Sequence, residues 1–298
     1  MTRIQANLLL LLAGAIWGAG FVAQSTAMAA IGPFWFIGLR FALASLVALP
    51  LAWREARAAE RPLDRGTVLP FIWIGLALFA GAATQQVGLL TTTVTASGFL
   101  TGLYVVIVPI LTVVFLRRRP HWIIWPAASM AFLGIFLLSG GTLSGLTPGD
   151  LLTILCAVFW AIQVVLIGTF VGRSGRPMAL SLIQFVVSAI GGCAAGLLLE
   201  PLDMTAIQGA LGEILYAGLF SSGLAFILQV VGQRHTTAPQ AAIFLSSEAL
   251  FAALFGVMLL GEVITPLGYA GCAIIFAAML LVEIVPEREA RLRAGREA

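Results

Sequence analysis

The 298-residue chain is 60% hydrophobic and 10% charged, with a formal net charge of +3 and a mean hydropathy of +1.05. A soluble domain of this size carries a charged skin of about a quarter of its residues, so the composition excludes a water-solvated globule and makes the lipid bilayer the main solvent. Apolar runs near the ~20 residues that cross a hydrocarbon core recur from end to end, and because open sheet edges cannot face lipid they are read as helices.

Ten such segments follow one another. The first, Asn7–Ala30, carries Trp17, Phe21 and Gln24, and Gly14 and Gly18 form a GxxxG step suited to close helix packing. With Arg3 ahead of it and Ala27-Met28-Ala29 near its end it imitates a cleaved signal. Its apolar run is longer than a signal core, however, and it has a counterpart later in the chain. The second, Pro33–Trp53, contains Arg40 about two turns below its outer end, roughly 10 Å deep at helical rise. The third, Leu69–Leu90, adds Phe79, Gln85 and Gln86. On the fourth, Thr93–Leu116, Ser97, Thr101 and Tyr104 recur at helical spacing as one polar stripe. The fifth, Trp122–Leu138, is rich in Ala, Gly and Met, as is the tenth, Thr265–Val285. Both read as packing elements. The sixth, Leu151–Val171, holds Trp160 and Gln163, and the seventh, Met178–Leu199, holds Gln184. The eighth, Gly212–Gly232, carries Ser222 and Gln229, and the ninth, Ala238–Leu259, carries Gln240, Phe244, Ser246, Ser247, Glu248 and Phe251.

Charge placement orients these segments. The chain has no lysine, and with a cytoplasmic N-terminus and ten crossings fifteen of its sixteen arginines fall in cytoplasmic segments and none in external loops; the sixteenth is Arg40. That is the positive-inside distribution with both termini cytoplasmic, and it makes a nucleic-acid partner unnecessary to explain the basic charge. The halves also match at a spacing of 140–144 residues: Ala15-Ile16-Trp17 with Val158-Phe159-Trp160, Pro33 with Pro177, Arg40-Phe41 with Gln184-Phe185, Gln86-Val87 with Gln229-Val230, Thr92-Thr93 with Thr236-Thr237. Residues 1–140 and 141–298 are thus two repeats. An odd number of helices in each inserts the second upside down, an arrangement that places a solute site near mid-membrane between the halves.

The buried polar residues are the candidate site. A carboxyl at the midpoint of the ninth helix costs about 3 kcal/mol or more if charged and unpaired. Glu248 therefore meets a solute amine, carries a proton, or is protonated against neighbouring hydroxyls. Arg40 either holds a solute carboxylate with its planar fork or snorkels outward. Trp17 and Trp160 are mid-helix rather than interfacial, where an indole N–H needs a partner across a cavity or on a packed neighbour. Tyr104 and Glu248 are 144 residues apart and are approximate repeat counterparts. Cys156, Cys193 and Cys272 lie in apolar runs, and His121 and His235 at helix ends, with no metal-ligand spacing among them. No phosphate-binding loop, dinucleotide turn or nucleophile elbow is present, so neither an enzyme nor a cofactor is expected. The energy source is then a gradient or exchange, with a proton as the candidate coupling partner.

Ala15-Ile16-Trp17-Gly18, Leu39-Arg40-Phe41, and Ser247-Glu248-Ala249-Leu250 through Leu259-Leu260-Gly261-Glu262 resemble the motifs of the EamA family of the drug/metabolite transporter superfamily. The likeness covers nearly the whole chain, the general similarity being to bacterial exporters of the YddG aromatic amino-acid type. It departs at Arg117-Arg118-Arg119-Pro120, where a Gly-Glu pair is the family habit, and at Ala249, where a proline is common. The resemblance implies an all-α inner-membrane protein that exports a small-molecule solute, most naturally an amphipathic metabolite such as an amino acid. A drug exporter of the same fold and a passive channel are its alternatives. The expected solute-binding residues are Trp17, Phe21, Gln24, Phe79, Gln85, Gln86, Ser97, Thr101, Tyr104, Trp160, Gln163, Ser222, Phe244 and Glu248, with Arg40 as a carboxylate contact.

Overall fold

The computed structural model describes residues 1–92, 94–138, 141, 147–260 and 263–297. Thr93, residue 140 at the expected repeat boundary, and the Gly261-Glu262 end of the ninth-segment motif lie outside the described residues. The described chain is helical: α1 (Arg3–Ala27), α2 (Pro33–Ala58), α3 (Arg65–Gly88), α4 (Val94–Thr101), α5 (Tyr104–Val114), α6 (Ile124–Leu138), α7 (Pro148–Ser174), α8 (Pro177–Leu199), two short helices α9 (Met204–Gly209) and α10 (Leu211–Tyr216), a π-helical stretch Ala217–Leu224, α11 (Ala225–Gln233), α12 (Ala238–Leu245), α13 (Glu248–Leu260) and α14 (Pro266–Glu297). Among the described residues nine helical runs are long and apolar enough to cross a bilayer, and α6 is a shorter apolar helix.

Local chemistry sets the helix starts. Thr2 accepts from Gln5 N in a reciprocal capping box, and Thr147 and Asp150 form a second one ahead of α7. Asp64 caps α3, and its hydrogen bonds from Thr67 hold its carboxyl below the usual range. Prolines 33, 148 and 177 occupy the first turns of α2, α7 and α8, where a missing N–H costs nothing.

The helices pair in a pattern that repeats when the halves are exchanged. Two of the three most extensive contacts, α2 with α8 and α6 with α14, are each between repeat counterparts. Two further pairs mirror each other: α3 with α7 and α11 with α1, then α4–α5 with α7 and α12–α13 with α1. The pairs of counterparts run antiparallel. Trp35 packs on Gly196 and Gly38 on Gly192, while Gly134 meets Ile275 and Leu138 meets Gly271. Gly38 and Gly192 bring the two backbones together, since a Cβ added at Gly38 would stand 2.8 Å from Cys193 N. Close approach of this kind supplies the dispersion contacts that hold helices together in lipid.

Carboxylates clamp the α2–α8 pair at both ends. Glu200, just past α8, accepts from Phe34 N and Trp35 N at the start of α2, at 2.9 and 3.0 Å. Glu55, near the end of α2, accepts from Met178 N and Ala179 N at the start of α8, both at 2.9 Å, and from Arg176 Nε at 3.3 Å. Each helix thus supplies the cap its partner lacks, satisfying donors that a helix start leaves open. At the end of the bundle that carries Arg3, Glu283 of α14 gathers Asn7 (2.5 Å), Gln240 (3.1 Å) and Arg3 (3.5 Å), joining α1, α12 and α14. Large apolar side chains such as Leu46, Trp73, Ile190 and Leu198 face outward, as a lipid-solvated surface requires. Trp35 is buried between helices, while Trp53, Trp122 and Trp125 are exposed.

Candidate functional site

Two breaks stand at the centre. The run that crosses the bilayer as α4 and α5 is interrupted at Gly102-Leu103, and the one formed by α12 and α13 at Ser246-Ser247. At both, i to i−3 bonds replace the helical ladder: Leu103 N donates to Leu100 O and Ser247 N to Phe244 O, each at 3.2 Å. Gly102 and Ser246 are 144 residues apart, so the interruptions are repeat counterparts, and the first helical residues beyond them are Tyr104 and Glu248. A third irregularity, the π-helical stretch Ala217–Leu224, lies on the helix that packs on α1. Irregular backbone at membrane depth is tolerated where it is buried in protein or lines a cavity.

Such a cavity lies between the halves, with about 520 Å³ of space counting its open side. One wall is aromatic. Phe226 is the hub, 4.8 Å from the Trp17 ring and stacked on Trp160 at 5.6 Å and 19°. Trp17 donates its indole N–H to the Ser221 carbonyl of the π stretch at 2.9 Å, which fixes that ring. The Trp160 N–H has no partner among the described residues.

Most of the remaining lining is polar. Arg40 is 3% exposed, donates from Nη1 to Gln24 Oε1 at 2.9 Å, and lies over the Phe41 and Phe36 rings at 5.0 and 5.4 Å. Desolvated cation–π contacts of this kind are worth about 2 kcal/mol and hold the guanidinium inward. It does not snorkel. Gln85 donates to Thr101 Oγ1 at 3.0 Å, tying α3 to the first break. Beyond the second break Glu248, 7% exposed, lies beside the Tyr104 hydroxyl, near enough to interact with it. Tyr104 OH and Glu248 Oε1 are without a partner among the described residues.

Of the residues expected from sequence, Trp17, Phe21, Gln24, Arg40, Gln85, Thr101, Tyr104, Trp160 and Glu248 line this cavity, as does Gln229. Six do not. Phe79 packs against Gly191, and Phe244 lies in the core around α12 and α14. Gln86 donates to the Gln24 carbonyl at 3.3 Å, and Gln163 bonds Gln184 and Gln229 at 3.2 and 3.0 Å. Ser97 and Ser222 are buried without partners among the described residues. The lining also includes Val164, Ser221, Phe226 and Leu245. Phe226 falls four residues after Ser222 and three before Gln229, a helical spacing that marks the face. Ser221 lines the cavity in place of Ser222 because a π turn inserts a residue and rotates the face.

The EamA-like transporter family profile matches residues 4–140 and again 147–284. An uncharacterized transporter of Archaeoglobus fulgidus is 32% identical over 293 residues, covering 95% of this chain and 87% of the relative. The uncharacterized transporter YwfM of Bacillus subtilis is 25% identical over 300 residues, covering 97% of each. A crystal structure at 18% identity superposes with a TM-score of 0.79 over 96% of this chain and 99% of that one, a likeness of fold alone.

Proposed function

The chain belongs to the EamA-like transporter family, and from that premise we propose that it is a ten-span secondary transporter exporting small amphipathic metabolites, aromatic amino acids foremost, from the cytoplasm. In this reading residues 1–140 and 141–298 are inverted repeats in a bacterial inner membrane, both termini are cytoplasmic, and rocking of one repeat against the other exposes the central cavity to each side in turn. The antiparallel pairing of α2 with its counterpart α8 supports the inversion, since a two-fold axis that turns one helix into an antiparallel neighbour lies across the helices, in the membrane plane. The arginine distribution supports the orientation.

The observation that carries the substrate class is the cavity wall. Trp17, Trp160 and Phe226 offer stacking surface, while Gln24, Gln85, Thr101, Tyr104 and Glu248 offer polar groups in the same cavity. A solute with a ring and a polar head uses both. The breaks at Gly102-Leu103 and Ser246-Ser247 give this reading its moving parts, because a helix already interrupted bends there without losing further ladder bonds. Purified protein in liposomes preloaded with unlabelled phenylalanine is expected to take up labelled phenylalanine by saturable counterflow. Flux that rises linearly with concentration would establish a pore, and a panel in which cationic drugs compete and amino acids do not would move the substrate class. An imposed pH gradient drives uphill movement if a proton is the coupling partner.

A further inference from the structure

A buried guanidinium and a buried carboxyl face the same cavity without meeting. Arg40 is a permanent cation, 97% buried by its 3% exposure, and no carboxylate lies within 4 Å of it among the described residues. Of its five N–H donors one is taken, by Gln24 at 2.9 Å, and Nε finds no acceptor among the described residues. Glu248 is likewise buried, with Oε1 unpartnered and no cation within 4 Å among the described residues. A buried ion without a counter-ion costs several kcal/mol, so the cavity holds unmet demand for an anion at the α2 wall and for a donor or cation at the α13 wall. Trp17, Trp160 and Phe226 line the same cavity.

We infer that Arg40 and Glu248 are a two-point charge clamp for the α-carboxylate and α-ammonium of a free amino acid, so that the zwitterionic head rather than the side chain is the group the site requires. This rests on the transport reading above and narrows it. Gln24 and the Phe36 and Phe41 rings hold the guanidinium, leaving its remaining donors for a carboxylate, whose geometry the planar fork matches. Tyr104 stands beside Glu248, and its hydroxyl oxygen completes the ammonium end as an acceptor. The side chain of the solute lies along the rings, where fit is apolar and tolerant of shape. Recognition of the head is therefore strict and recognition of the side chain graded, because leaving a buried charge unpaired is penalised far more than losing a methylene.

The test compares phenylalanine with three analogues of the same ring: phenethylamine, which lacks the carboxylate, 3-phenylpropionate, which lacks the ammonium, and N-acetylphenylalanine, which has no positive charge. Tryptophan fluorescence titration of the purified protein reads affinity, and counterflow reads transport. The wild-type protein is expected to bind each analogue at least about tenfold more weakly than phenylalanine, the loss of one charged hydrogen-bond partner. In Arg40→Gln, which removes the charge and keeps a hydrogen-bonding side chain, the preference over phenethylamine collapses and that over phenylpropionate persists; Glu248→Gln reverses the pattern. Arg40→Lys keeps the charge and retains the preference in part. Wild-type protein that binds phenethylamine or phenylpropionate as tightly as phenylalanine overturns the clamp, and that result needs no variant. Unchanged preferences in folded Arg40→Gln and Glu248→Gln also overturn it. If counterflow of phenylalanine is robust while the preferences are absent, the clamp fails and the transport reading stands; if wild-type protein neither binds nor moves any member of the panel, both fall.

Discussion

The close approach of α1 to α13 gives a direct test of the geometry that frames the site. A Cβ added at Gly18 would stand 2.6 Å from Ala252 N and 2.6 Å from Phe251 Cβ. Carbon atoms rest about 3.5–4.0 Å apart, so Gly18→Ala requires the helices to separate by roughly 1 Å. The atoms in the way belong to backbone and Cβ, which cannot rotate aside. Overpacking of this sort costs about 1–3 kcal/mol, offset by the roughly 0.5–1 kcal/mol that alanine gains over glycine inside a helix. Gly172 on α7 provides the matched control, because nothing lies within 4 Å of its added Cβ. There the same substitution keeps only the helix gain and stabilises by about 0.5–1 kcal/mol. Unfolding of the two variants by SDS titration in mixed micelles is expected to separate them by about 1–3 kcal/mol, with Gly18→Ala the weaker. Because α13 begins at Glu248, counterflow also falls in Gly18→Ala and not in Gly172→Ala. Equal stabilities would refute the contact between α1 and α13 as described.

Three other outcomes are expected. Glu200→Ala removes the acceptor for Phe34 N and Trp35 N and lowers stability by about 1–3 kcal/mol in the same titration; stability equal to wild type removes the clamp on α2. Trp160→Ala strips one stacked ring from the cavity and raises the half-saturation of counterflow for phenylalanine more than for alanine, whereas Trp73→Ala, 58% exposed on the outer surface, leaves both unchanged. Reporter fusions at the two termini are expected to place both in the cytoplasm, and an external signal from either would break the ten-span reading together with the inverted repeat.

The sequence shows the helices and their pairing more clearly than their interruptions. Hydropathy locates every long apolar run because lipid admits only segments that satisfy their own backbone. The 140–144-residue spacing identifies Trp17 with Trp160 and Tyr104 with Glu248, and these four residues line one cavity. The breaks themselves left no such trace. Gly102-Leu103 and Ser246-Ser247 lie inside runs that stay apolar on average, and an i to i−3 turn changes neither composition nor period. The π stretch is silent for the same reason, so helical spacing selected Ser222 where the backbone presents Ser221. Phe226, the hub of the aromatic wall, is one phenylalanine among nineteen, and only its spacing from Ser222 and Gln229 singles it out. Arg40 was ambiguous because depth alone does not say which way a long side chain turns. Gln24 and two rings decide it.

Arg40 and its counterpart Gln184 are where the halves differ most in character. One half sets a cation with Gln24; the other sets an uncharged carboxamide, held by Gln163 at 3.2 Å, in a cluster that includes Gln229. The cavity therefore carries a cation at the α2 position, while the counterpart position on α8 is uncharged and buried away from it. Half-saturation measured from the two sides of an oriented vesicle should differ, with anionic heads favoured on the Arg40 side. For a carrier that dissipates no energy, however, the ratio of maximal rate to half-saturation must be equal on both faces, or net flux would run without a gradient. Sidedness of affinity accompanied by sidedness of that ratio would then be a direct sign that a second, energised species moves with the solute.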